Sequence, residues 1–341
     1  MEKDQRAEYN EQLFRQWRDA RSDWDTEARE DIDFYLGNHF TEDESSELAS
    51  RNQADVPMDR TSAAEKFKAV LTARPPAFTI TPREDSDVKT ASIWRTIMGY
   101  VWQSSDGDSQ MKQAIHDYAT TGLGYLYAYI DTESDFGRGD VKFTYLDPFR
   151  VYVSPSSRNR WHDDADGIIL STVLTQEQLV NLYPELADKT DPETGEEIPG
   201  LINEISEYHD IEGSDYPASQ NKNSVVAFTP ADVKDKDYMD VRKYQILERF
   251  YKTKVNFYYV INTQDTSEMI MSEEEFAAFS EENLDLIETG IFTVAPVQQT
   301  RIKVCASVGE IVLYEQVLNT DVYPIVPLPN IWTGTPYPKS D

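Results

Sequence analysis

The chain has 341 residues, with 62 Asp and Glu against 32 Lys and Arg for a formal net charge of -30, 39% hydrophobic and 12% aromatic content, and one cysteine. That length allows two or three domains, or one elongated subunit with several lobes, and the aromatic content excludes a disordered chain despite the charge. The acidic excess opposes tight gripping of nucleic acid, which needs Lys and Arg to displace counterions from phosphates, and a lone Cys305 excludes a disulfide framework or a Cys-based metal site.

The opening MEKDQRAEYN lacks the apolar core of a secretory signal, and no apolar run approaches the ~18 residues that span a bilayer, so a soluble product of a reducing cytoplasm, with no membrane partner, is expected. From about Asp4 to Leu36, Leu13, Trp17, Ala20, Trp24, Ala28 and Ile32 recur every three or four residues. This predicts a long amphipathic helix that Gly37 and Asn38 stop. A polar loop from Thr41 to Asn52 precedes a second helix, about Thr61 to Ala73, ended by Pro75 and Pro76. Phe78 to Thr81 then reads as a short edge strand between prolines.

Ile93, Trp94, Ile97, Met98, Val101 and Trp102 place one apolar face on a helix from about Asp87 to Gln103, and a shorter helix follows from Ser109 to Thr120. Gly122 and Gly124 flank the entry to a strand, Tyr125 to Ile130. Its partner, Val141 to Leu146, returns through a turn carrying Gly137 and Gly139. Thr175 with Gln178 forms a capping box for a helix that stops near Tyr183 and Pro184. The stretch from Asp188 to Asp240 is weakly periodic, apart from a short helix at Leu201 to Tyr208. Strands are expected at Val241 to Tyr251, Lys254 to Ile261, Gln299 to Ala306 and Glu310 to Glu315, the last two meeting at Gly309. Between them, a second capping box at Ser272 and Glu275 opens a helix from Glu273 to about Glu288 that Gly290 ends.

The order of several pieces carries more information than any one of them. FYLGNHF at Phe34 to Phe40, the RPPAFTITP segment from Arg74, a helix pair, the Gly122 and Gly124 strand entry, the Asp147-Pro148 element after a hairpin, and Asp164-Ala165-Asp166 before a strand follow one another across residues 10 to 185. A weaker echo lies at Tyr323 to Pro327. This order resembles the portal, or head-to-tail connector, proteins of tailed bacteriophages, of the short-tailed phage type.

Several shorter motifs tempt and fail. Asp135-Phe136-Gly137 copies a kinase triplet without the other kinase elements, and Arg138-Gly139-Asp140 copies an adhesion tripeptide on a hairpin tip. Gly122-Leu123-Gly124 sits at a helix-to-strand junction, the reverse of the dinucleotide fingerprint, so hinge or tight packing is the better reading. His162, Asp164, Asp166 and Gly167 fall on the frame of a calcium loop, but the first position is His and the twelfth is Val173, which excludes an EF-hand. His39, His116, His162 and His209 lie outside metal-ligand spacing of one another, and no nucleophile motif accompanies them. Trp17 and Trp24 share a helical face, read as core, since the interleaved arginines are offset by carboxylates. No catalytic, cofactor or metal residue is therefore assigned.

The resemblance implies an α+β, elongated portal-type subunit: a helical and mixed wing over residues 1–265, a stem helix over 266–290, a small β clip over 291–330, and the start of a missing or truncated second stem at 331–341. It implies a homo-oligomeric ring of about twelve at one capsid vertex, passing double-stranded DNA without gripping it. The implied partners are the terminase large subunit, the major capsid protein, scaffold and tail adaptor proteins. The implied locations are the virion and, during assembly, the host cytoplasm. No covalent chemistry or cofactor is implied. Glu273, Glu274, Glu281, Glu282 and Asp285 are candidates to face the channel, against the plainer reading of a solvated helix face. Arg158, Arg160, Asp163, Asp164 and Asp166 are candidates for inter-subunit pairing, against that of a solvated acidic turn. Another head-completion or minor capsid protein, or an enzyme with an unrecognised site, stays open as an alternative.

Overall fold

The computed structural model describes residues 4–36, 42–51, 61–74, 76–82, 84, 87–132, 134–190, 197–198, 200–205, 242–263 and 267–340. The expected helix stop at Gly37 and Asn38, Pro75, and the polar stretch from Asp210 to Asp240 lie outside them. The first helix, α1 (Gln5–Leu36), buries Ala7, Asn10, Phe14, Trp17, Arg21, Trp24 and Ala28, which alternate in steps of three and four. The predicted stripe is there, with one correction: Ala20 is exposed, and the buried place beside it belongs to Arg21. Hydrophobicity alone could not find that residue, because its burial depends on carbonyl partners far along the chain.

Helix α2 (Glu42–Ser50) occupies part of the stretch read as a loop; with Leu48 its only large apolar residue, it has no periodicity to betray it. Helices α3 (Thr61–Leu71), α4 (Val88–Ser104) and α5 (Gly107–Thr120) follow. The edge strand expected at Phe78 to Thr81 does not form. Pro76 and Pro82 bracket an extended segment with no ladder, held instead by Phe78 against Trp102 at 5.4 Å and by Arg95 donating to the Ile80 carbonyl at 3.4 Å.

The hairpin β1 (Leu123–Asp131) and β2 (Asp140–Leu146) pairs as predicted, from Tyr125 with Leu146 to Asp131 with Asp140. Its two entry glycines work as packing devices. A Cβ on Gly124 would stand 2.1 Å from the Ala114 carbonyl oxygen of α5, and one on Gly122, whose φ is +81°, would stand 2.4 Å from the Lys339 backbone. Strands β3 (Val151–Val153) and β4 (Gly167–Thr175) come next, then α6 (Gln176–Leu182), whose capping box forms with Gln178 N donating to Thr175 Oγ1 at 3.3 Å and Thr175 N to Gln178 Oε1 at 3.0 Å. A two-stranded ribbon joins β5 (Lys189–Thr190) to β6 (Glu197–Ile198); of the helix expected at Leu201 to Tyr208, Leu201–Glu204 form a 3-10 turn and residues 206–208 lie outside the described residues.

The two strands expected from residue 241 to 261 are one, β7 (Lys243–Asn262); the polar Lys252-Thr253-Lys254 continues the ladder with β9. Short β8 (Glu268–Ser272) pairs with its distal half. The single helix expected from Glu273 is two, α7 (Glu273–Glu282) and α8 (Leu284–Glu288), because Asn283 Nδ2 caps the Phe279 carbonyl at 3.0 Å and closes the first. Strands β9 (Phe292–Val308), β10 (Ile311–Leu318) and β11 (Ile325–Pro329) complete the order, with Gly309 turning the predicted hairpin at φ +54°.

These strands form a sheet β10-β9-β7-β4-β3, with β8 added on β7, and a second sheet β11-β1-β2, all antiparallel. Side-chain alternation divides the larger sheet cleanly. Val151, Val153, Ile168, Leu170, Phe250, Ile302 and Val304 face the smaller sheet's Leu123, Tyr125 and Ile325. Tyr152, Ile169 and Leu247 face Phe14 and Trp17 of α1. Sheet strands buried on both sides read as continuous apolar runs, which is why Gly167 to Ser171 are all buried. The layers are therefore α1, the larger sheet, the smaller sheet and α5. Further along the larger sheet, Leu179, Leu186, Ile202 and Ile205 cover Tyr244, Ile246, Ala306 and Val308.

Arg21 locks the layers together. Its guanidinium is fully buried, paired with Asp25 Oδ1 at 2.9 Å, and donates to the carbonyls of Val151 at 2.8 Å, Phe149 at 3.0 Å and Pro148 at 3.3 Å while lying 3.8 Å from the centre of the Tyr152 ring. Arg21→Ala would strand Asp25 and three carbonyls without their cation. Urea unfolding is expected to show a loss of about 3–5 kcal/mol, whereas alanine at the exposed Arg15 of the same helix should cost well under ~1 kcal/mol.

Candidate functional site

Beyond Tyr251, β7 leaves β4 and runs with β9 as a long ladder to the pair Asn262 and Phe292. This distal part takes β8 on its other edge and α7 on its face, where Tyr258 stacks on Phe276 at 4.1 Å and Phe279 meets Phe292 at 5.2 Å. The result is an arm whose residues 255–300 contain nine Asp and Glu and no Lys, Arg or His. Its helix forms because Ser272 and Glu275 cap one another: Glu275 N donates to Ser272 Oγ at 3.3 Å, and Ser272 N to Glu275 Oε2 at 2.9 Å. Donation to its carboxylate from Ser272 N, and from Ser272 Oγ at 3.0 Å, holds the Glu275 carboxyl below its usual range. Of the five candidate channel residues, Glu273, Glu281, Glu282 and Asp285 are exposed on α7 and α8, and the side chain of Glu274 lies outside the described residues.

The loop from Ser154 to Asp166 holds the second candidate group. Asp164 accepts from Ser157 Oγ at 2.7 Å, Arg158 N at 2.6 Å and Asn159 N at 3.1 Å. Burial works against its charge, but these donors outweigh it and hold the carboxyl below the ordinary value. Asp166 accepts from Ser156 Oγ at 2.7 Å, Arg158 turns back to the Pro155 and Ser157 carbonyls, and Arg160 reaches the Pro329 carbonyl at 3.1 Å. Asp163 lends its carbonyl to Lys252 and keeps an exposed carboxylate. His162 is buried at a φ of +61° with Nε2 3.2 Å from Tyr125 Oη, and burial lowers its pKa to about 4, so it is neutral at pH 7. The frame that mimics a calcium loop is thus a turn clamped by its own carboxylates. Among the described residues, no group of three or more His, Cys, Asp or Glu could hold a metal ion.

One polar cluster escaped the sequence reading. A cleft of 340 Å³ is lined by Lys68, Lys112, His116, Asp117 and Tyr145. Asp117 accepts from Tyr145 Oη at 2.5 Å, and burial pushes its pKa up to about 7. Lys68 Nζ sits 2.9 Å from His116 Nδ1 and 2.5 Å from Glu65, which also accepts from Tyr35 at 2.5 Å. Burial, then Lys68, lowers the His116 pKa. A carboxyl titrating near 7 in a cleft is suited to proton transfer, but here its oxygen is engaged by Tyr145 at the α5 to β2 seam, where it braces the helix on the sheet. The only advance signal was a carboxylate one turn before the glycine entry, which is not distinctive.

The family model described as phage P22-like portal protein matches residues 11–333. The chain belongs to this family, whose members are structural proteins of the phage capsid rather than enzymes. No curated protein matches the chain. No helix among the described residues is long and apolar enough to cross a membrane.

The Asp117 carboxyl gives a pH test. With a folded pKa near 7 against an unfolded value of 3.8, the folded state holds the extra proton between those limits, so this group's contribution falls as pH rises from about 4 to 7. Asp117→Asn keeps an acceptor for Tyr145 without the buried charge. Relative to the unsubstituted chain, thermal melts should show it more stable by roughly 1–2 kcal/mol at pH 8, with the difference vanishing near pH 4. A variant less stable at pH 8 would show that the ionised carboxylate is the favoured partner.

Proposed function

We propose that copies of this chain form the ring at one capsid vertex through which double-stranded DNA enters and leaves a phage head. The observation that carries the reading is the family match across residues 11–333. In this role the ring, of about twelve subunits, docks the terminase large subunit during packaging, sits among scaffold and major capsid protein, and later receives tail adaptors. It assembles in the host cytoplasm and remains in the virion. Residues 1–265 serve as wing, 266–290 as stem and 291–330 as clip.

The acidic arm supports a non-adhesive passage. Exposed carboxylates at Glu273, Glu281, Glu282 and Asp285 repel phosphate, so a duplex sliding past them finds nothing to hold it. Glu274 belongs to the proposed set by its sequence position. The loop bearing Arg158, Arg160, Asp163, Asp164 and Asp166 is assigned to a contact between neighbours. Of that group, Asp163 has its carboxylate turned outward, beside a half-exposed Trp161; the other members are engaged within their own subunit.

Negative-stain imaging of the purified chain tests the reading directly: end-on classes should show about twelve subunits around an axial hole of ~20 Å or more, and a population of monomers and dimers would sink it. The channel assignment has its own test. Glu281→Lys, Glu282→Lys and Asp285→Lys together should convert assemblies that ignore duplex DNA in about 50 mM salt into ones that bind it with a steep salt dependence. Indifference of the triple variant to DNA would place those carboxylates away from the duplex.

A further inference from the structure

Where α1 begins over the larger sheet, the sheet carries a cluster of cations. Arg249, Tyr251, Thr253 and Phe257 of β7 alternate onto one face and stand opposite Cys305, Lys303, Arg301 and Val297 of β9. Arg6 of α1 and Glu315 of β10 complete the group: Arg6 Nη1 and Lys303 Nζ both reach Glu315 Oε2, at 2.8 and 3.0 Å. Arg6 also pairs with Asp4 at 2.5 Å. Arg6, Arg249, Arg301 and Lys303 thus share two carboxylates, in a chain whose net charge is -30.

The two remaining guanidiniums are held in place without being neutralised. Arg249 lies 4.1 Å from the Tyr251 ring centre and 5.0 Å from that of Tyr9, itself 50% exposed. Arg301 lies 5.0 Å from the Phe257 ring centre and donates to Gln299 Oε1 at 2.6 Å. Among the described residues neither has a carboxylate partner, and the Nε of each is buried without an acceptor. Stacking on aromatic faces fixes a guanidinium's plane and leaves its edge for a planar anion.

The surroundings specify the anion. Phe257 and Tyr258 point to opposite faces, and α7 stacks on Tyr258, so the acidic helix lies across the sheet from this patch. Beyond Arg301 the patch turns apolar, with Val297 41% exposed opposite Phe257. Arg249, Arg301 opposite Thr253, and Val297 opposite Phe257 follow at equal steps of four residues along the ladder, roughly 14 Å each. A phosphate backbone would meet only two unpaired cations in a strongly anionic chain and could not use the apolar step. A peptide uses all three.

We infer that this face is a docking site for an acidic, extended segment of a partner protein. One carboxylate meets Arg249, a second four residues on meets Arg301, and an apolar side chain four further covers Val297 and Phe257. Guanidinium and carboxylate match as bidentate pairs, which gives the contact direction as well as affinity. The site goes beyond the ring reading and does not depend on it, because every group in it belongs to one copy.

The probe is a labelled nine-residue peptide with glutamate at its first and fifth positions, leucine at its ninth and serine elsewhere, titrated with the purified chain by fluorescence anisotropy. Binding should weaken as salt rises. Arg249→Gln and Arg301→Gln should each weaken it about tenfold, while Lys89→Gln, at an exposed cation on α4, should leave it unchanged. Val297→Glu, at an exposed side chain, should abolish it by repulsion, and keeps the test decisive where thermal melts show an arginine variant to be unfolded. The same peptide with glutamine in place of both glutamates should not bind. Absence of binding, equal binding of the glutamine peptide, or indifference to the substitutions in the patch overturns the inference. Tighter binding of a nine-nucleotide oligothymidylate than of the peptide also overturns it, and makes the face a nucleic-acid surface.

Discussion

A single buried cation organises the layers of this subunit. Moving a guanidinium out of water is costly unless every donor finds an acceptor, and Arg21 finds Asp25 on its own helix and three consecutive-region carbonyls at Pro148, Phe149 and Val151. Those carbonyls converge because Asp147 accepts from Phe149 N at 2.9 Å and winds the chain into a 3-10 turn as it passes from the smaller sheet to the larger. Burial raises the Asp147 pKa against that hydrogen bond. The Asp147-Pro148 element is therefore the socket for Arg21, and the socket exists only when both sheets are in place. Sliding α1 by one turn would leave the cation and the carbonyls unpaired together, so the ion fixes the register of the helix as well as its attachment.

Once α1 is fixed, its C-terminal half holds a distant part of the chain. Trp24 Nε1 donates to the Pro338 carbonyl at 3.1 Å, Glu27 pairs with Lys339 at 3.0 Å, and Asp31 accepts from Ser340 at 2.6 Å. Tyr337 closes the loop, accepting from Val153 N at 2.9 Å beside the Arg21 socket. The same segment explains the tight glycine entry, since the Lys339 backbone lies where a side chain at Gly122 would stand. Sequence-distant pieces of the chain are thus interdependent: weakening the socket loosens the helix, the segment from Ile331 to Ser340, and the strand pairing of β1 with β11 that the segment follows.

What could be read in advance was whatever is encoded locally. The capping boxes at Thr175 and Ser272, the hairpin of β1 and β2, the turn at Gly309 and the stripe of α1 all depend on residues within a few positions of one another, and each is present. Features set by distant partners were not legible. The Tyr323 to Pro327 echo gave no hint that β11 would add to β1, and nothing in the Arg21 neighbourhood marked it as buried rather than as one of several solvated arginines. The long β7 runs through the interval between the two strands expected at Val241 to Tyr251 and Lys254 to Ile261, because β9 supplies its ladder partners through that point. Among the candidate functional residues, the acidic helix was visible as composition, while the internal commitment of Asp164 and Asp166 needed the loop's geometry.

The segregation of charge along the chain limits how copies can meet. Two arms with nine carboxylates each and no cation repel one another at any separation within about 8 Å in physiological salt, so a two-fold contact pairing arm with arm is electrostatically disfavoured. The helical region of residues 61–121, with seven Lys and Arg against seven Asp and Glu, carries no such penalty. The charge distribution therefore sets the arm apart as the surface that copies keep away from one another, for a reason independent of family membership.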